Sequence, residues 1–492
     1  MLSIGISPIL TAQNYDYIWL FGYGSNSENM NYGGSVLDFN EIPPLIYYQF
    51  QEMDLDVTNS SICNSAGLLQ FYTNGNYVAN AEHGMMENGG GLSPGPFHTS
   101  SGFIMEQGCL ALPNPGDSSQ YFLFHLPKNL AQEDLAFHSS KLFYSLIDMA
   151  ENDGLGAVLE KNEVLIEDKL HSGKLTAVKH ANGEDWWVLA RRYNSNEYYT
   201  LLLTAEGIEL NALQAVGDTI PFPGVGQAVF SPDGSKYVAY NAVSLEKGNF
   251  LDIYDFDRCT GVLSNPIQYN LQDSAWAGGA AISANSRFLY VSSYNYIYQY
   301  DLWADDIGST KDTVAVYDGF LEEPVFRTRF FMAQLAPDGK IYLNSTNSTH
   351  YLHVINQPDL PGESCDVCQH CVELPTWNAF SLPNFPNYRL GATVEPCDSI
   401  VDVIEGVTVA EHLYVYPNPA SDFLKFQLEN PAVEYLQLEL YSARGQKIQT
   451  VQIAKGDKLK TVEVKNWPGG IYFYRLSDRQ GRLLNSGKVV VR

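Results

Sequence analysis

Three cysteines and a histidine stand within seven residues of this chain. In "CDVCQHC", Cys365, Cys368 and Cys371 are each separated by two residues, with His370 before the last of them. Three thiolates and an imidazole form a tetrahedral zinc donor set, and paired two-residue gaps also occur in iron–sulfur runs. The bacterial iron–sulfur spacing would need a cysteine where Pro375 stands, and Cys397 is the nearest substitute. The chain has seven cysteines in all, which also suits an oxidising compartment and leaves at least one thiol unpaired within the chain. A second concentration, "KHANGEDWW", sets His180, Glu184 and Asp185 beside Trp186 and Trp187, the residue types of an acid/base cluster. "YDFDRCTG" offers Asp255 and Asp257 on one strand face, too few oxygens for calcium, so they read as solvated strand-end acids. "NGGGLSPG" (Asn88 to Gly95) is glycine-rich but has no lysine and opens no helix, which argues against a phosphate cradle. No Gly-x-Ser-x-Gly elbow and no His-Glu-x-x-His occurs. Serine, thiol and zinc peptidase chemistries therefore have no supporting motif.

The background composition narrows the choices. There are 56 Asp and Glu against 29 Lys and Arg, a net charge of −27. Such a surface repels nucleic acid and anionic lipid, whose binding needs clustered cations. No apolar run reaches the ~18 residues of a membrane helix. The first residues, "MLSIGISPILTA", look like the second half of a secretory signal peptide without its basic start, so residues 1–13 are expected to be a signal-peptide remnant. The plainer alternative is a buried first strand.

The elements that would position these groups repeat. Aromatic or β-branched runs begin at Tyr17, Leu68, Tyr121, Trp186, Tyr237, Phe288 and Ile341. Five of the six intervals lie between 51 and 53 residues, and the sixth, 65, reads as a loop insertion. Before several runs comes a strand and a tight polar turn, as in "AVFSPDGSKYVAY" and "AQLAPDGKIYL", with glycine supplying positive φ and aspartate capping its own backbone. Helical periodicity is nearly absent. Seven four-stranded units of about 50 residues predict an all-β chain, a seven-bladed β-propeller. In that frame "KHANGEDWW" occupies the slot that sister units fill with Ser-Pro-Asp-Gly, so it is expected to be a turn, with at least one tryptophan packed between blades. The ends of the strands that follow these turns should gather at the opposite rim. Asn74, Arg191, Arg192, Asn194, Asn241, Tyr294, Asn344 and the His83 loop form the expected ligand face. Neighbouring strand residues point to opposite sides, so at most one of Arg191 and Arg192 should face a ligand while the other pairs with surface acids.

Two resemblances follow from these motifs. "LLQFYTNG", "NGGGLSPG", "GQAVFSPDGSKYVAY", "ISANSRFLYVSS", "LAPDGKIYLN" and "LPNFPNYRLG", in this order, resemble a family of secreted Bacteroidota propeller proteins with no agreed activity, over roughly Asn14 to Thr393. In that family the cysteine-rich stretch usually has one cysteine, at the position of Cys365, before a pair matching Gln369 and His370. The end of the chain resembles the type A C-terminal sorting domain of the type IX secretion system. It has "YPNPASDFLKFQL" with Tyr416, Pro417, Asn418 and Pro419, then "LELYSARGQKIQTV", then "WPGGIYFYRLSDRQGRLLNSGKVVVR" with Gly469, Gly470 and Lys488. The resemblance implies export to the cell surface or medium, engagement of the translocon, and removal of the domain by a sortase-like peptidase. Alternation in "FLKFQL" and "YLQLELY" independently predicts a small Ig-like β-sandwich.

The expected organisation is thus a propeller over 14–394, a linker over 395–411 and a sorting domain over 412–492. The expected function is a secreted or surface propeller presenting a glycan or protein ligand face, without cofactor or metal. A propeller enzyme acting on extracellular polysaccharide (lyase or hydrolase) and a structural envelope component are the alternatives. Disulfides are the expected fate of the exported cysteines, with Cys365–Cys397 closing the loop at the propeller's end; metal and free thiols stay open. Because few contacts should cross the linker, deletion of Leu413 to Arg492 is expected to leave a folded propeller stranded in the periplasm. Fractionation of cells expressing the truncation checks this, and undiminished surface display would contradict it.

Overall fold

The computed structural model describes residues 13–97, 102–130, 136–220, 224–244, 248–393, 397, 413–428, 430–432, 435–442, 447–479 and 483–492. The signal-peptide remnant, apart from Gln13, lies outside the described residues, as does the linker apart from Cys397. The chain divides into two compact units, Met1–Cys397 and Asp398–Arg492.

The first unit is a β-propeller. Its strands fall into successive antiparallel meanders, numbered here as blades 1 to 7 in chain order. Blade 5 is representative: an inner strand Ala228–Phe230, then Lys236–Ser244, Gly248–Asp257 and Val262–Leu271. Blades 2 and 3 meet through one parallel pair, Ala157 with Glu87. The aromatic runs become the second strands, among them Trp186–Arg191 and Phe288–Ser293, because residues there are packed from both faces. The 65-residue interval is not a loop. Blade 3 spends the extra length on two long outer strands, Phe137–Asp148 and Ala157–Leu170, whose register shifts absorb the irregularity.

The polar turns behave as their composition requires. Gly234 and Gly339 have φ of 75° and 80°, and the Asp233 and Asp338 carboxylates accept from the Ser235 and Lys340 amides. "KHANGEDWW" is the same turn in blade 4: the Asn182 side chain accepts from the Glu184 and Asp185 amides, and Gly183 N–H donates to His180 O. Trp186 and Trp187 are both buried, and Trp187 donates to Arg258 O of blade 5 across the seam between blades. These turns define one rim, called the turn rim below. Asp257 caps a turn by accepting from Cys259 N–H and Thr260 O–H, while Asp255 pairs with Lys236 and Asn265.

Among the described residues blade 1 has three strands, and Ile18–Phe21, its innermost, accepts at Leu20 O and Ile18 O from the Asn59 and Ser61 side chains of blade 2. Residues 381–393, which arrive from the end of blade 7, lie against the inner strands. Pro383 and Pro386 prevent a regular ladder there, because proline donates no hydrogen bond. Side chains replace it. Asn384 donates to Cys109 O and Leu175 O, both at 3.0 Å, and accepts from Gln107 at 3.0 Å. Asn387 donates to Pro232 O, Tyr388 to Ala111 O, and Arg389 grips Asp16 with both terminal nitrogens. One segment thereby bonds to residues of blades 1 to 5, and through Phe385 and Gln334 to blade 7. The outer strand of blade 7 closes the ring separately, with Thr376 bonded to Ser35 and Trp377 N–H to Asn31 O.

The cysteines differ from the expectation. Cys397 is joined to Cys259, and Cys368 to Cys371, while Cys365 is buried and free, as are Cys63 and Cys109. Cys365 was consumed by the core under blade 7, packed with Tyr290, Ile355 and other buried side chains. Cys397 instead follows the segment that emerges at the turn rim beside Cys259. No group of three or more His, Cys, Asp and Glu suited to a metal occurs among the described residues.

The second unit is a small sandwich. Leu413–Tyr416, Phe423–Leu428 and Leu459–Glu463 form one sheet. The other has the order Lys447–Ile453, Leu436–Ser442, Gly470–Ser477, Leu483–Val491. Alternation fills its core with Leu424, Phe426, Leu438, Leu440, Leu476 and Val489.

The Cys259–Cys397 bridge spans 138 residues, and closing so long a loop stabilises by about 2–5 kcal/mol. Cys259→Ser is therefore expected to lower the melting temperature of the oxidised protein, and peptide mapping without reductant should recover Cys259 linked to Cys397. A Cys365–Cys397 peptide would contradict this fold.

Candidate functional site

Opposite the turn rim lies the rim where inner strands begin and second strands end, here called the mouth. Asn74, Arg191, Arg192, Asn194, Asn241, Tyr294 and Asn344 all sit at second-strand ends on this side. His83 does not. It occupies the turn between the third strand of blade 2, Tyr77–Asn80, and its outer strand, Met85–Gly90, which places it at the opposite end, where its ring meets Tyr72 O–H at 3.1 Å.

The mouth residues do not form one surface. Asn74 is buried and committed to Asp54 O and the Asn76 amide. Asn344 is buried and accepts from Met332 N–H. Asn194 serves as a left-handed turn residue with φ of 47°. Arg191 lies in the seam between blades 4 and 5, paired with the buried Asp252 at 3.3 Å and donating to Ser195 O at 2.7 Å. Burial dominates Asp252 and pushes its carboxyl up to about 6, against the pull of Arg191. Arg192, one residue on, turns outward to Asp168 at 2.9 Å and Glu197 at 2.8 Å. The alternation of the strand is obeyed, but both arginines are held by acids of the chain itself.

What the second-strand ends lack is supplied by the segments leading into the inner strands. Asp56 precedes blade 2, Glu106 blade 3, Lys174 blade 4, Trp276 blade 6 and Arg329 blade 7, each within four residues of its strand. Between blades 3 and 4 the charges interact. Burial lowers Lys174 to about 7 and raises Glu106, and each moderates the other. Lys174 also donates to Gly224 O at 2.7 Å. Burial raises Asp56 to about 6, with Lys128 opposing the shift. Beside them His171 and Asn241 are buried against one another. Burial drives the His171 pKa well down, so the ring is neutral.

The blade 6–7 sector is built differently. Tyr294, at a left-handed position with φ of 55°, lies 4.9 Å from the Trp276 ring, and the Arg329 guanidinium stands 4.5 Å over Tyr294. Trp276 is 46% exposed. Of the sequence-predicted residues, Tyr294 is the one that joins an exposed cluster of this kind.

The turn rim contains a cavity of about 240 Å³ lined by Phe230, Ile282, Leu335, Pro337 and Phe385 among others. Its polar groups are engaged: Arg389 by Asp16, Gln334 by Phe385, Asn387 by Pro232. It is packing space beside the channel segment, with little left to recognise a ligand.

In the C-terminal unit the sorting motif is one constellation. Asn418 accepts from Val490 N–H at 2.8 Å and donates to Lys488 O at 3.2 Å. Ala420 N–H donates to Val490 O and Arg492 N–H to Ala420 O. Gly470 pairs with Val491. The opening Tyr416-Pro417-Asn418-Pro419 and the closing strand are thus held together at one end of the sandwich.

Residues 414–492 match the family of secretion system C-terminal sorting domains. This unit is a type IX secretion sorting domain, and it directs the protein to the cell surface or outside the cell. No curated protein matches the chain in sequence. Among solved structures, a protein of unknown function from Desulfotomaculum acetoxidans is 12% identical, with a TM-score of 0.37, covering 73% of this chain and 97% of its own. A protein from Lactobacillus plantarum is 10% identical, with a TM-score of 0.36 over 91% and 99%. A periplasmic gluconolactonase of Pseudomonas aeruginosa is 10% identical, with a TM-score of 0.34 over 90% and 98%. No helix among the described residues is long and apolar enough to cross a membrane.

The two adjacent arginines give a direct check of this geometry. Arg191→Ala leaves Asp252 buried without its cation and is expected to cost about 3 kcal/mol. Arg192→Ala, at a solvent-screened pair, should cost less than about 1 kcal/mol. Urea denaturation compares them, and equal losses would contradict the assignment of Arg191 to the seam.

Proposed function

We propose that the propeller is a binding module working outside the cell, with its ligand or partner held on the mouth. One observation carries this reading. The segments leading into the inner strands need only small or hydrogen-bonding residues to build the ring, as Gln107 does by reaching from blade 3 to blade 5 and Gln227 by reaching from blade 5 to blades 6 and 7. In five blades these segments also carry Asp56, Glu106, Lys174, Trp276 and Arg329, which are charged or large and partly desolvated. Such groups at one end of a propeller are what a ligand face requires. The sorting domain supports the setting, since an exported module meets extracellular glycans and proteins, and its removal by a peptidase of the export machinery would leave the propeller as the working part.

A second reading has a specific observation in its favour. Asp56 and Asp252 are raised to about 6 and Lys174 is lowered to about 7, the range in which general acids and bases work. A propeller enzyme cleaving extracellular polysaccharide would use such groups.

A screen of the purified secreted protein against glycans and polysaccharides, scored for binding and for turnover, separates the two. Binding without turnover is expected. Turnover with a bell-shaped pH profile near neutrality would replace the binding module by the enzyme, and neither binding nor turnover would remove the glycan-facing reading altogether.

A further inference from the structure

Arg329 stands at the mouth just before blade 7, two residues after the exposed Arg327, which likewise has no ion pair among the described residues. Arg191, Arg192, Arg287 and Arg389 each hold a carboxylate. Arg329 has no ion pair among the described residues, in a chain with 56 acidic side chains, and its Nε is buried without a hydrogen-bond partner. In the adjoining segments Asp318 is engaged by His370 at 2.9 Å, Glu322 by His350 at 2.6 Å and Asp273 by Asn249 and Ser293, while Glu323 is exposed. A planar fork that no carboxylate of the described residues takes up matches the geometry of an external carboxylate. The fork is held in place by stacking, 4.5 Å from Tyr294 and 5.4 Å from Tyr317.

The same Tyr294 ring supports Trp276 at 4.9 Å. Nearly half of that indole is open to solvent, although an exposed tryptophan contributes little to the fold. The backbone beneath is fixed, because Phe330 N–H donates to Tyr294 O and Tyr317 N–H to Asn295 O. Blade 6 therefore presents a rigid apolar plate, and blade 7 an unpaired cation against the same ring.

We infer that this sector of the mouth is a binding site for an acidic saccharide, with the carboxylate of a uronic acid on Arg329 and the apolar face of its pyranose ring on Trp276. The inference rests on the mouth being the ligand face and names the ligand class it takes. Each half of the site excludes a simpler ligand. A neutral sugar offers the ring face but leaves the guanidinium unpaired, and an acidic peptide offers carboxylates on flexible stems with no ring face for the indole. A uronic acid carries both groups within one residue.

The test titrates the full secreted protein with an oligomer of galacturonic acid, its methyl ester and polyglutamate, by calorimetry at constant ionic strength. The acid form is expected to bind about tenfold more tightly than the ester, since only the acid makes the charge-assisted bonds. Trp276→Ala should weaken both sugars, and Arg329→Gln should abolish the preference for the acid. Arg329→Lys keeps the charge and loses the fork, and should recover only part of that preference; circular dichroism confirms that each variant is folded. Polyglutamate binding as tightly as the galacturonate oligomer would overturn the inference in favour of charge alone. Galacturonate binding that is indifferent to all three substitutions would overturn this placement while leaving the mouth as a ligand face. Absence of galacturonate binding would overturn the ligand class, and the broader glycan screen would then decide the binding reading separately.

Discussion

The propeller depends on one amide. Asn384 reaches from the segment that follows blade 7 to the backbones of blades 3 and 4, and through Gln107 to blade 5. Among the described residues blade 1 has three strands, and a segment with two prolines lies against the inner strands of the ring. Proline cannot donate to a ladder, which leaves Asn384, Asn387, Tyr388 and Arg389 to make side-chain bonds radially. Each buried carbonyl they satisfy would otherwise cost about 1–3 kcal/mol. The Cys259–Cys397 bridge then fastens the chain just beyond this segment.

That constraint determines where function can sit. Residues 381–393 occupy the centre of the ring, so the propeller offers its two rims. At the turn rim the tight Pro-Asp-Gly turns and the channel segment consume their own polar groups. At the mouth the connecting segments are longer and free to carry charged and aromatic residues. The mouth consequently has two sectors of different chemistry. Blades 2 to 5 hold a buried series of acids and bases that shift one another's pKa values, and blades 6 and 7 hold an exposed indole and an unpaired arginine.

Much of the fold was legible because its signals are local. An aromatic run, a polar turn and a strand recur every 51 to 53 residues, and turn chemistry at Asp233-Gly234 and Asn182-Gly183 depends only on neighbouring residues. The sorting domain was legible for the same reason, since Tyr416 to Pro419, Gly469-Gly470 and Lys488 keep their order. Residues 381–393 were visible as "LPNFPNYRLG" but not as a structural element, because their bonds go to residues as far as 373 positions away. The long outer hairpin of blade 3 looked like an inserted loop because its bulges blur the period of two. Cysteine pairing depends on which chain ends meet, and Cys259 meets Cys397 only after the ring has closed. At the site, Tyr294 was found from the second-strand ends. Glu106, Lys174, Trp276 and Arg329 were missed, although aligning the repeats on the start of each inner strand would have put these unusual residues in one register.

The ring-closing role of residues 381–393 is most directly tested by hydrogen–deuterium exchange on the free, oxidised protein. If the segment is the central tie, its amides exchange as slowly as those of the inner strands Cys109–Asn114 and Thr176–Lys179, and are released only with global unfolding. Exchange of 381–393 at the rate of the exposed turns, with the inner strands still protected, would show that the ring closes without it and would contradict the account.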